Sequence, residues 1–256
     1  MSFATNSPEN TPGNPTPGTP TPGTPAPGTA PGGTPPVETT LGEQLLLLSL
    51  DDESGIEKAP ANVAYAIAAA SLVELALAGR IEVDGEQVTV RDAAPVGDPT
   101  VDAALADIAG WEKTRARATK EWIEHLRRGA VDGTTKSLVA KGLLREEKKK
   151  VLGLFPVRRY PEADGSVEAA LRRRLDEVVL RGAAPDERIA SLVALLHGAK
   201  LHGLLYEKER LATARTNMEA IAHSRWAAPA VRQAVKAAED ALTAIVVMTV
   251  VTTTVL

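Results

Sequence analysis

Apolar residues in this chain fall in blocks at helical rather than strand spacing, with polar or glycine-containing breaks between them. The first block follows Thr40, where Thr and a Glu three residues on form a capping-box pattern ahead of Leu45–Leu48 and Leu50. Asp51 to Gly55 closes it in a polar turn. Pro60 then suits the first turn of a second helix, through Tyr65, Ile67, Leu72, Val73, Leu75 and Leu77. That helix is apolar or alanine nearly all round, so it belongs inside a bundle, and Glu74 is its one acid. It stops at Gly79 and is followed by two short strands turning on Asp84-Gly85, with Val83, Val88 and Val90 as their apolar positions. A similar plan recurs at Lys136 to Leu144, where a helix closes on Gly142 before an extended stretch around Val151 to Pro156.

Between these copies, Pro95 to Pro99 reads as a loop and Val101, Leu105 and Ile108 as a helix. Trp111 to Arg128 reads as a basic amphipathic helix with Trp122, Ile123 and Leu126 on one side. Asp132 to Thr135 reads as the cap of a separate helix, Lys136 to Lys141, and Arg145 to Lys150 as a charged turn. Further helices are expected at Glu168 to Leu180, from Pro185 through Leu204, at Leu211 to His223, and from Pro229 onwards. The pattern predicts a mainly α fold: a central helix bundle ringed by amphipathic helices, with one or two short β-hairpins. Residues 1–37 differ in kind. Their Thr-Pro-Gly repeats offer almost nothing apolar to bury, which predicts a disordered, partly polyproline-II arm ahead of a helical domain over 38–256. Such an arm serves as a spacer or as a docking tail for a proline-reading domain.

Composition narrows the chemistry. Aromatics are only 3% of 256 residues, so aliphatic side chains and alanine fill the interior. The absence of cysteine excludes disulfides and thiolate metal or redox chemistry, and fits a reducing compartment. The N-terminus lacks the basic-then-apolar order of a secretory signal, and the C-terminal run from Ala241 falls short of the roughly 20 residues a spanning helix needs. A cytoplasmic protein is expected. Net charge is −4 but unevenly placed. Residues 1–111 hold 3 basic against 15 acidic residues, residues 112–160 hold 14 against 6, and the remainder balances. The middle segment is where an anionic partner would meet the chain.

Catalytic signatures are missing. There is no Gly-x-Ser-x-Gly elbow, no phosphate-binding Gly-x-x-x-x-Gly-Lys loop and no dinucleotide turn. His125, His197, His202 and His223 offer no i, i+4 metal pair, and a straight helix would put His197 and His202, five apart, on different faces. Glu74 reads as a buried carboxylate with a partner rather than a general acid or base. No catalytic residue, metal or cofactor is expected. The basic segment carries the signal: arginines grip phosphates in bidentate fashion, and attraction to an anionic leaflet accumulates at roughly 1 kcal/mol per basic residue. Arg127, Arg128, Lys136 and Lys141 are the candidate headgroup contacts.

Five stretches together resemble the Golgi phosphoprotein 3 family in its bacterial, actinobacterial-type branch: Thr40 to Asp52, Leu72 to Ile81, Pro95 to Pro99, Lys136 to Leu144 and Arg188 to His197. The resemblance implies a single helical domain with a projecting hairpin, and peripheral binding to membranes carrying phosphatidylinositol 4-phosphate. It further implies contact with the cytoplasmic tails of membrane proteins and a homo-oligomer through the hairpin. Of the four positions that hold this lipid in eukaryotic members, Arg128 keeps its chemistry, while Ala59, Ala68 and Val131 stand at the others. That leaves binding to a general anionic phospholipid or phosphoinositide surface as the expected function of a non-enzymatic adaptor. Two alternatives remain. One is a winged-helix-like nucleic-acid binder, which the absence of basic residues from Ala68 to Ala78 argues against. The other is a protein scaffold without lipid binding.

Overall fold

A computed structural model describes residues 38–51, 58, 60–112, 117–151, 155–224 and 229–254, which belong to a unit spanning Pro36–Leu256. The arm expected over 1–37 lies outside the described residues. The elements run α1 (Leu41–Ser49), α2 (Pro60–Leu77), β1 (Ile81–Asp84), β2 (Gln87–Val90), α3 (Pro99–Glu112), α4 (Thr119–Ala140), β3 (Glu147–Val151), β4 (Phe155–Arg159), α5 (Ser166–Val179), α6 (Glu187–Gly198), a 3-10 turn (His202–Leu204), α7 (Lys208–Ala222) and α8 (Pro229–Thr254). The fold is mainly α, as expected, and both short sheets are antiparallel pairs.

Its centre is α2. Every residue from Ala66 to Ala76 is buried, and α1, α3, α4, α6 and α8 pack around it. A helix without a polar face has no stable place at a surface, so its sequence dictates that position. Burial also excludes α2 as a helix reading a nucleic-acid groove. Its end is a Schellman closure: Gly79 takes φ 67°, its N–H donates to the Ala76 carbonyl (3.0 Å), and Arg80 N–H donates to that of Leu75 (2.8 Å). α4 ends the same way at Gly142, φ 73°, with Gly142 N–H on Val139 O (3.0 Å) and Leu143 N–H on Leu138 O (2.9 Å). The recurrence seen in sequence is therefore one capping device used twice.

The β1–β2 hairpin pairs Ile81 with Val90 and Val83 with Val88. Its Ile81, Val83 and Val88 side chains are buried, and β1 lies against α8. Thr119 N–H donates to Glu86 O (2.7 Å), tying the hairpin to the start of α4.

Four sequence expectations are corrected. Trp111 to Arg128 is not one helix: Trp111 lies in the last turn of α3, which ends at Glu112, and α4 starts afresh at Thr119. Asp132 to Thr135 is not a cap but lies within α4, because Thr134 and Thr135 are buried and the helix is held against α2 and α1 through that stretch. The basic run after Glu146 is strand rather than turn, since Lys148 pairs with Arg158 and Lys149 with Val157 in the β3–β4 hairpin. Finally, α6 stops at Gly198, and Leu201 and Leu204 fall in the turn beyond it.

Candidate functional site

The four candidate cations all lie on or just after α4, but their surroundings differ. Lys141 is drawn inward. Its Nζ donates to Glu43 Oε2 (2.6 Å) and Glu38 O (3.0 Å), with Asp98 Oδ2 at 3.9 Å. Glu43 is 1% exposed and also closes the α1 capping box, accepting Thr40 N–H (2.8 Å) and Ser137 Oγ–H (2.7 Å). Lys141 thus neutralises a buried carboxylate that ties α1 to α4.

Arg127 is held on the α2 side. Its Nε donates to Glu124 Oε2 (2.9 Å), and its guanidinium sits 4.9 Å over the Tyr65 ring. Tyr65 Oη–H donates to Glu124 Oε1 (3.2 Å). The hydrogen bond to Glu124 raises the Arg127 pKa, while burial and the Glu124 charge raise that of Tyr65, so both groups keep their protons. Lys136 pairs with Asp132 one turn back (2.6 Å), with both side chains largely exposed. Exposed i, i+4 pairs contribute about 0.3–0.5 kcal/mol and exchange readily. Arg128 is exposed and has no ion-pair partner among the described residues.

Arg128 stands where two cavities meet. One, of about 760 Å³, is an apolar groove between α3 and α4 walled by Ala103, Ala104, Leu126 and Ala130, with Arg128, Lys136 and Lys141 along its rim. The other, of about 580 Å³, is lined by Trp111, Arg117, Lys120, Glu121, Glu124, His125 and Arg128. Trp111 is 43% exposed and carries the Arg117 guanidinium 3.7 Å from its ring centroid. His125 bridges the two helices, its Nε2 lying 3.0 Å from Asp107 Oδ2. The sequence does not reveal the stack, because Trp111 lies in α3 while Arg117 lies beyond its end, just ahead of α4.

A third cavity, of about 650 Å³, opens over the start of α1 and contains Glu74, Asp98, Lys141 and Arg188. Arg188 clamps Glu74 through two nitrogens (2.7 and 3.0 Å), and Glu74 accepts Leu41 N–H (2.6 Å). Burial pulls the Arg188 pKa down, but the hydrogen bond and charge of Glu74 outweigh it and leave it raised. Glu74 is a partnered structural carboxylate.

Of the other positions that the family resemblance singled out, Ala68 is sealed in the core and Val131 packs against it. Ala59 lies outside the described residues. The histidines bring a correction. The chain leaves α6 and turns back, so that His202 Nε2 lies 3.1 Å from His197 Nδ1, with Glu239 Oε1 3.9 Å from His197 Nε2. No group of three or more such side chains poised to hold a metal occurs among the described residues.

Comparison with known proteins places this geometry in context. The family model for Golgi phosphoprotein 3 matches residues 41–238. Over 163 residues the chain is 30% identical to vacuolar protein sorting-associated protein 74 of Eremothecium gossypii, which covers 55% of this chain and 49% of that one. The chain thus spans about half the length of that relative. Among the described residues no helix is long and apolar enough to cross a membrane.

Proposed function

Since the chain belongs to the Golgi phosphoprotein 3 family, we propose that it is a non-enzymatic adaptor that associates peripherally with membranes and binds anionic phospholipid headgroups through the basic face of α4. The observation that carries this reading is Arg128, an exposed guanidinium without an ion-pair partner among the described residues, at the edge of two cavities. Guanidinium presents a planar fork that phosphate accepts in bidentate fashion. Lys136 stands two turns along and gives up only a weak exposed pair to join it. Arg127 and Lys141 support the face from within, holding α4 to α2 and to α1. The relative's name speaks of vacuolar protein sorting, which fits an adaptor linking membrane proteins to a surface.

Flotation with phosphatidylcholine vesicles, with and without phosphatidylglycerol, at physiological salt tests the reading. Partitioning is expected only with the anionic vesicles, and to weaken at least about fivefold in Arg128→Glu. Equal partitioning into both vesicle types, or into neither, would overturn it.

A further inference from the structure

The α3–α4 groove has a shape and a charge that headgroup binding alone does not use. Alanine, glycine, leucine and proline make up most of its lining, with Ser71, Thr100, Asp107, His125 and Ser137 as further polar positions, and its volume of about 760 Å³ falls within the roughly 300–1,000 Å³ of small-molecule sites. Its lysines and arginine, Arg128, Lys136 and Lys141, all come from α4 or the residue that caps its end. Lys141 is committed to Glu43, so Arg128 and Lys136 remain to meet a ligand there.

Next to this rim stands Trp111, one of two exposed large hydrophobic side chains among the described residues, with Arg117 stacked on its face. An indole with an apolar body and a polar edge settles at the boundary between hydrocarbon and water. The acids nearby are already engaged: Asp107 faces His125, and Glu124 holds Arg127 and Tyr65.

An apolar slot edged by the unpaired Arg128 and by Lys136, whose exposed pair with Asp132 is weak, and bordered by an exposed tryptophan is complementary to an anionic amphiphile. We propose that the α3–α4 groove takes one acyl chain of an anionic phospholipid, with the phosphate at Arg128 and Lys136. The inference rests on the anionic-membrane reading above and adds to it: the protein holds a single lipid, head and tail, rather than only resting on a charged surface. Bilayer contact would then be a docking step, and loading of the groove the step that retains the protein.

The full chain, with one-chain lipids kept below micelle-forming concentration, tests this by calorimetry. Lysophosphatidylglycerol is expected to bind one to one. Lysophosphatidylcholine, which lacks net charge, and glycerol 3-phosphate, which lacks the chain, are expected to bind at least about tenfold more weakly. Arg128→Glu should weaken lysophosphatidylglycerol by about fivefold or more. Ala103→Leu with Ala140→Leu narrows the groove at two exposed positions. It should reduce lysolipid binding and weaken retention on anionic vesicles, while leaving the melting temperature near that of the parent.

If the chain floats with anionic vesicles but binds glycerol 3-phosphate as well as the lysolipid, or binds the lysolipid unchanged after narrowing, the groove inference fails and the headgroup reading stands. If an acidic amphipathic peptide occupies the groove and the lysolipid does not, the site belongs to a protein partner and the inference is again overturned. If the chain neither floats nor binds any lipid, both readings fall.

Discussion

At Lys200 the backbone takes φ 58°, the left-handed region, in a residue that has a Cβ. It closes α6 as glycine closes α2 and α4, with Lys200 N–H on His197 O (3.0 Å) and Leu201 N–H on Leu196 O (2.9 Å). Holding a non-glycine residue there costs roughly 1–2 kcal/mol, partly offset by the extra freedom glycine brings to the unfolded chain. Lys200→Gly is therefore expected to raise stability by about 0.5–1 kcal/mol, read as a shift in the urea midpoint at constant slope. The same turn brings His202 to His197, a pairing invisible in sequence because it depends on where α6 stops. Burial, then the neighbouring His197, pushes the His202 pKa down to about 4, and burial followed by Lys200 lowers that of His197. Arg215 also opposes protonation, Glu219 favours it, and His223 and Glu239 face the pair, the Glu239 pKa being raised by burial. A depressed histidine binds fewer protons folded than unfolded, so its contribution is complete above pH 6.5 and is lost as pH falls towards 4. Up to roughly 3 kcal/mol is at stake for His202, with Glu239 pulling modestly the other way. Unfolding free energy should fall across that window, and His202→Gln should flatten the slope; an unchanged slope would show that the pair titrates as it does in the unfolded chain.

Among the elements, α4 shows why sequence reached only part of the answer. Its apolar face and its closing glycine were legible, as were α1's capping box and the all-round apolar α2, because each rests on residues close in sequence. Asp132-Gly-Thr-Thr135 carries the local chemistry of a cap, yet Thr134 and Thr135 bury against neighbouring helices and α4 runs through. The lysine run of β3 looked like a turn because runs of charge are common to loops and to edge strands, and β3 is one of only two strands in its sheet. Lys141 likewise reads as a free cation until α1 is packed beside it. Lys141→Ala would strand the buried Glu43 carboxylate, whose loss of its charge partner should cost about 2–3 kcal/mol. Thermal unfolding is expected to show this loss, while vesicle partitioning of the folded fraction falls less than in Arg128→Glu. The reverse ranking would place Lys141 among the headgroup contacts.

For the molecule as a whole, bundle, hairpins and family were all present in the chain's own patterning, since a helix as apolar as α2 admits one position and five separate stretches carry the family resemblance. The candidate site was half legible. Composition located the basic segment, but separating tethered from available cations required Glu43, which α1 brings to Lys141, and Tyr65, which α2 brings to the Glu124–Arg127 pair within α4. The enclosure of α2 has one more consequence. Its amides from Ala66 to Ala76 reach solvent only when the surrounding helices come apart, so their deuterium uptake reports global opening rather than local fraying. A ligand that favours the folded state slows such opening in proportion to one plus its concentration over its Kd. Lipid held between α3 and α4, in a groove that α2 lines only at Ser71, should accordingly protect protons all along α2, and that helix becomes the molecule's own gauge of how tightly the ligand is bound.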